Sequence, residues 1–198
     1  MTTHATALRV VLECLANGRV SPVDQPELIA KLASAFPHSI APAPPLLTPV
    51  DSIASYNCFE FALGMTGRRE VALIAKFLPS TLCASEFAAH LVESILVPVA
   101  PATNQDLVLY HDGQQYTHAG LVHDNRILSK WGNGLLWLHS TLEVPANYGS
   151  TTSYYRTTNP EVVLAKFLEF ARKREGITLV NDVLTFDSSQ IQQLKPNL

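Results

Sequence analysis

The stretch Ser55-Tyr56-Asn57-Cys58-Phe59-Glu60-Phe61-Ala62-Leu63-Gly64 sets a cysteine directly after an Asn and ahead of a short apolar run. Asn57 can cap a helix, because its side-chain oxygen can accept a backbone N–H one turn on. Glu60 then falls at the third helical position and completes an N-x-x-E variant of the capping box. Cys58 becomes the first helical residue. Free N–H groups and the positive end of the helix dipole favour thiolate over thiol at that position. A thiolate there is a common form of protein nucleophile. Free cysteines are also ordinary packing residues, so Cys58 alone decides nothing. A second stretch, Thr117-His118-Ala119-Gly120-Leu121-Val122, supplies a possible base.

The composition bounds the rest. The chain has 198 residues, 47% of them hydrophobic, which suits a folded core and not a disordered chain. The formal net charge is −3 (14 basic residues against 17 acidic) and no basic block occurs. That argues against nucleic acid and against an anionic membrane surface as partners. No apolar run approaches the roughly 18 residues of a membrane span. The start, Met1-Thr2-Thr3-His4, lacks the basic and apolar regions of a signal peptide. The expected location is the cytoplasm, or outside the cell by export without a cleavable signal. Cys14, Cys58 and Cys83 are odd in number and form no C-x-x-C pair, so neither a disulfide framework nor a zinc knuckle is expected.

Apolar spacing predicts a helix over 5–17 and a second from Asp24 to Phe36, a helical hairpin occupying 1–36. Cys14 falls inside the first helix as a packing residue. Five prolines between 37 and 50 read as an extended linker. Helices are expected at 69–78 and 84–96, the latter with His90 at the surface and Cys83 two residues before its start. After Pro101 the pattern turns to strands: 106–110, 115–123, 126–131, 135–140 and 152–157, with Asp124-Asn125 as a tight turn. A closing helix spans 160–174, so the main domain covers 51–176, and 177–198 forms a C-terminal extension with one apolar run, ITLV. The fold class is α+β.

A two-residue turn at Asp124-Asn125 would pair Gly120 with Ser129 and His118 with Trp131. His118, Ser129 and Trp131 would then share a face, and small Ala119 and Gly120 would let the Cys58 helix approach. Ser129, or His139 on the next strand, could hydrogen-bond the imidazole and set its tautomer. Which of the two does so stays open.

The strings Asn57-Cys58-Phe59-Glu60-Phe61-Ala62, Asp106-Leu107-Val108-Leu109-Tyr110 and His118-Ala119-Gly120-Leu121-Val122 resemble, in order and spacing, the NlpC and CHAP branches of the papain-like cysteine hydrolases. The string Ser129-Lys130-Trp131-Gly132, with His139 and Tyr148-Gly149 after it, is similar to a bacterial subgroup of that superfamily. The resemblance covers about residues 50–158, and N-C-F-E stands where many members have D-C-S-G. It implies a papain-like core, with a nucleophile helix packed on an antiparallel meander and the N-terminal hairpin appended. It implies Cys58 as nucleophile, His118 as general base, and the Cys58 N–H in an oxyanion hole. The activity implied is hydrolysis of an amide bond through an acyl-enzyme, by a peptidase, amidase or deamidase. A bacterial effector or toxin fits, as does an intracellular protease. The substrate would be a peptide, a protein or peptidoglycan. The hairpin could meet a cognate inhibitor or a delivery partner. The alternative is a non-catalytic binding or immunity-type protein on the same fold.

Other polar residues are read more plainly. His111, His118 and His123 lack the spacing of a metal site, and no metal or cofactor is expected. His123 is read as a solvated turn residue. Tyr56, Asn57 and Trp131 are candidates for substrate contact, although strand tryptophans such as Trp131 and Trp137 usually pack. Glu60 is read as a cap before an acid. Lys130 alternates to the face opposite His118 and is read as solvated.

Overall fold

The computed structural model describes residues 3–44, 56–78, 81–180 and 183–186. Two helices, α1 (Thr3–Ala16) and α2 (Gln25–Leu32), lead into a two-residue strand, β1 (Ala41–Pro42). Three more helices follow: α3 (Cys58–Ala62), α4 (Arg69–Phe77) and α5 (Ser85–Ser94). Then come β2 (Leu107–His111), β3 (Tyr116–His123), β4 (Arg126–Lys130), β5 (Leu136–His139), a 3₁₀ turn at Ala146–Tyr148, and β6 (Thr151–Tyr155). The long helix α6 (Pro160–Glu175) and a hairpin of β7 (Ile177–Val180) and β8 (Val183–Phe186) close the described chain. The protein is thus mixed α+β. The expected end of the chain, QIQQLKPNL, lies outside the described residues, as does most of the proline segment after Pro44.

Six strands form one antiparallel sheet in the order β1-β5-β4-β3-β2-β6. Local chemistry accounts for the meander. Asp124 and Asn125 both take positive φ, at 47° and 62°, as a two-residue hairpin turn of the kind that matches strand twist requires. His123 pairs with Arg126 across it, and Gly120 with Ser129, as the sequence predicts. Part of the expected linker is an edge strand: Ala41 and Pro42 pair with Leu138 and Trp137. Proline is tolerated there because an edge strand leaves N–H positions without a ladder partner.

Side-chain alternation splits the core in two. On one face Leu107, Leu109 and Ala119 pack with Phe59 and Ala62 of α3, Phe87 and Leu91 of α5, and Val163 and Phe167 of α6. On the other, Val108, Tyr110, Val122, Trp131 and Trp137 pack with Leu8, Leu12 and Leu15 of α1 and Ile29 of α2. The N-terminal hairpin therefore covers the second face of the sheet and shares the core there. Arg9 of α1 strengthens the joint. Its buried guanidinium donates to the carbonyls of Val144 (3.2 Å), Pro145, Ala146 and Gly149, gripping the turn that carries Tyr148. His90, expected at the surface, is half-buried with its ring 5.7 Å from that of Phe170.

Because α1 and the sheet share one core, they should unfold together. Leu12 is fully buried, so Leu12→Ala should cost about 3 kcal/mol. Thermal melting followed by far- and near-ultraviolet dichroism should keep one transition at a lower midpoint. An early, separate loss of helix signal would contradict a shared core.

Candidate functional site

The capping box forms in full. Asn57 Oδ1 accepts from the Glu60 N–H at 2.9 Å, and the Glu60 carboxylate accepts from the Asn57 N–H at 2.7 Å. Asn57 Nδ2 also donates to the Cys83 carbonyl at 3.0 Å, tying α3 to the segment before α5. Asn57 is thereby committed at both ends of its amide, as cap and as anchor. Cys58 is the first helical residue, half-buried and packed against the α3-side core.

Strand β3 supplies the next piece. Val122 N–H donates to the Asp106 carbonyl on the β2 side. By alternation the Ala119 N–H points the other way, toward β4. The β3–β4 ladder, however, ends at Gly120↔Ser129, one pair short of Ala119 and Lys130. The Ala119 N–H is among the groups that favour a Cys58 thiolate, and Ala119 is the residue after His118.

His118 stands on the α1 face, opposite Tyr110 in the register. Its ring is stacked on Tyr148, with centroids 3.9 Å apart and planes 6° from parallel. It is fully buried, and neither ring nitrogen has a hydrogen-bond partner among the described residues. The imidazole lies on the α1 face and Cys58 packs on the α3 face, with no hydrogen bond between them. Tyr148 lies near both: it covers the His118 ring, and after burial the Cys58 sulfur is the next influence raising its phenol pKa.

Ser129 and His139, the two candidates for orienting His118, bond to each other. His139 Nδ1 lies 2.9 Å from the Ser140 carbonyl, which can only accept, so Nδ1 carries the proton. His139 Nε2 then accepts from Ser129 Oγ at 2.8 Å, and Ser129 Oγ accepts from the Trp131 indole N–H at 3.1 Å. This closed chain does not include His118. Burial holds His139 neutral, with its pKa down to about 4, the Ser140 carbonyl offsetting a part. Trp131 is fully buried and supports the chain from within the core, so it offers no face to a ligand. Tyr56 is also buried.

Two electrostatic expectations change. The helix N-terminus was expected to favour thiolate, yet the Cys58 thiol is pushed up to about 11. Burial is the main cause. The N–H groups of Ala119, Phe59 and Cys58 and the charge of Lys130 pull the other way and lose. A five-residue helix has little dipole with which to offset desolvation. His118 is held well below the usual imidazole range, first by burial and then by His139. At neutral pH the resting pair is therefore a thiol and a neutral imidazole.

Lys130 is the second change. It does face away from His118, but it is fully buried and not solvated. Its ammonium donates to the Gly134 carbonyl at 2.9 Å and stands 4.8 Å from the centre of the Tyr56 ring. Burial brings its pKa down to about 8 against the opposing pull of Cys58 and Glu60. Alternation gave its face correctly. What it could not give was that α3 and Tyr56 cover that face.

Cys83 is buried, its thiol raised well above the ordinary value by burial and by Glu60 and Cys58. Cys14 donates its thiol proton to the Val11 carbonyl at 3.0 Å. Among the described residues no three His, Cys, Asp or Glu side chains converge as a metal site. No helix among them is long and apolar enough to cross a membrane.

The sign of the thiol shift makes a prediction. The thiolate is the reactive form and is scarce below a raised pKa. Iodoacetamide should therefore label Cys58 slowly at pH 6 and progressively faster as the pH rises, read by peptide mass spectrometry. A rate at pH 6 equal to that at pH 9 would contradict the buried, neutral thiol. Asn57→Ala removes the cap and should cost about 1 kcal/mol of stability in denaturant unfolding.

No curated protein and no solved structure matches the chain. A family model does, over residues 50–156, more than half of the 198 residues. The matched region contains Cys58, His118, Ser129, Lys130, His139 and Tyr148, and leaves α1, α2 and α6 outside. The chain belongs to the family described as Domain of unknown function (DUF7689).

Proposed function

We propose that the protein is a cysteine-dependent hydrolase of an amide bond, with Cys58 as nucleophile and His118 as general base on a papain-like core. The observation that carries this reading is the position of the Cys58 sulfur. Cys58 opens a capped helix, the Ala119 N–H favours its thiolate, and the residue before Ala119 is a buried histidine with both ring nitrogens uncommitted. A structural histidine at full burial ordinarily has its nitrogens satisfied. His139 does, through Ser140 and Ser129. His118 does not, and its free acceptor suits a base that takes a proton in the reaction.

The chemistry starts from neutral partners. His118 takes the Cys58 proton as the sulfur attacks the carbonyl carbon. The tetrahedral intermediate collapses, the amine leaves with the proton from the imidazolium, and water hydrolyses the thioester. Starting from thiol and imidazole avoids burying an ion pair in the resting state. It also requires the ring and the sulfur to close into hydrogen-bond contact when substrate arrives, as catalytic pairs in free enzymes often do. Peptides, proteins and peptidoglycan stem peptides are the substrate classes for this reaction. An effector, a toxin or an intracellular protease or deamidase would each use it.

A second reading has one observation in its favour. The thiol pKa near 11 and the absence of a sulfur–imidazole hydrogen bond also suit a binding protein that has kept the fold and not the reaction.

Wild type, Cys58→Ala and His118→Ala should be incubated with peptidoglycan fragments and with a protein extract, and the products read by mass spectrometry. The hydrolase reading expects a cleaved or deamidated amide with wild type. It expects both variants to be at least about a thousandfold slower. Identical products from wild type and Cys58→Ala would favour the binding protein.

A further inference from the structure

A cavity opens where the start of α1 meets the segment after α2 and the turn after β5. Its volume is about 390 Å³, and neither Cys58 nor His118 lines it. Ala5 and Leu8 of α1, Phe36 and Leu142 form apolar walls, and His4 and Glu143 are the polar lining. Mostly apolar walls with a few polar groups, at this size, are the make-up of a small-molecule site.

Glu143 is half-buried, and neutral donors fix its carboxylate. Oε1 accepts from the Ser39 N–H at 2.9 Å. Oε2 accepts from the same N–H at 3.1 Å, from the Ser39 hydroxyl at 2.6 Å and from the Ser140 N–H at 3.1 Å. Burial would raise the Glu143 pKa, but these donors outweigh it and hold the carboxyl below its usual range. The group is therefore an anion at neutral pH. Among the described residues no Lys, Arg or His lies within ion-pair distance of it. Arg126, which also meets Ser39, donates to the Ser39 and Leu138 carbonyls. His4 is exposed and makes no bond to the carboxylate. A half-buried anion beside apolar walls, held by donors and lacking a counter-charge, is half of an ion pair.

We propose that this cavity binds a small organic cation, a primary ammonium on an apolar body, with the ammonium on Glu143 and the body against Leu8, Phe36 and Leu142. Oε1 has accepted one bond where Oε2 has accepted three, so Oε1 has room for an N–H of the ligand. The ammonium supplies both that donor and the missing charge, the combination that makes the stronger kind of hydrogen bond. An aromatic body gains further from the Phe36 ring. Such binding needs nothing of Cys58 or His118.

The probe is phenethylamine, titrated at pH 7 into the full nitrogen-15-labelled chain, with phenethyl alcohol as its uncharged counterpart. The Ser39, Ser140 and Glu143 amides should shift together and saturate, with a midpoint of about 1 mM or below. The alcohol should bind at least about tenfold more weakly, because it lacks the charge-assisted bond. Glu143→Gln keeps the shape and an acceptor for Ser39 and Ser140, and should weaken the amine by a similar factor of about ten. Ala5→Trp fills the cavity from a half-buried position on α1 and should abolish the saturable shift. Should Glu143→Gln fail to fold, judged by dichroism and melting, the two ligands and Ala5→Trp decide. Equal binding of amine and alcohol overturns the proposal, as does a saturable amine shift that survives in Ala5→Trp. So does the lack of any saturable shift up to about 10 mM, tenfold above the expected midpoint.

Discussion

The Asn57–Glu60 capping box organises the site, because it sets where α3 begins and so where Cys58 lies. Asn57 also ties that helix start to the Cys83 carbonyl. Where β3 and β4 stop pairing, the Ala119 N–H joins the helix N–H groups that favour a Cys58 thiolate. His118 follows because it is the residue before Ala119, and Lys130 follows because it lies across from Ala119 where the ladder ends.

Burial decides the charges around Cys58. Two helix N–H groups, the Ala119 N–H and a lysine all favour a thiolate, yet burial leaves Cys58 a thiol. The same burial keeps His118 and His139 neutral. A site of this kind holds its ionic state in reserve. On the proposed hydrolase reading, its charge separation is created during the reaction and not stored before it. The aromatic cover matters as much as the polar groups. Tyr148 lies flat on His118, and Arg9 of α1 grips the turn that carries it. The N-terminal hairpin, outside the region the family model matches, therefore bears on the imidazole through two contacts.

Much of this was legible in the residues, and the limits have physical causes. Asn57-x-x-Glu60 announced a cap because capping depends on neighbours in sequence. Asp124-Asn125 announced a two-residue turn for the same reason, and the Gly120–Ser129 register came with it. The face of Lys130 was legible from alternation, but its burial was not, because alternation says which way a side chain points and not what covers it. The thiol's protonation is hidden likewise: the dipole is local, whereas desolvation is set by helices and strands distant in sequence. Ser129 and His139 both read as orienters of His118. Register put them on neighbouring strands, and only side-chain geometry could show them bonded to each other. The role of α1 as a second core layer was hidden because its apolar stripe fits any apolar partner.

The account turns on the influence of the Cys58 sulfur reaching the Ala119 amide and the His118 ring. Nitrogen-15 NMR before and after capping Cys58 with methyl methanethiosulfonate tests that influence directly. The account predicts that the Ala119 amide resonance and the His118 ring nitrogens shift, while the ring nitrogens of His139, locked to Ser129 and Ser140, stay in place. Unmoved Ala119 and His118 signals on a fully capped thiol would contradict it.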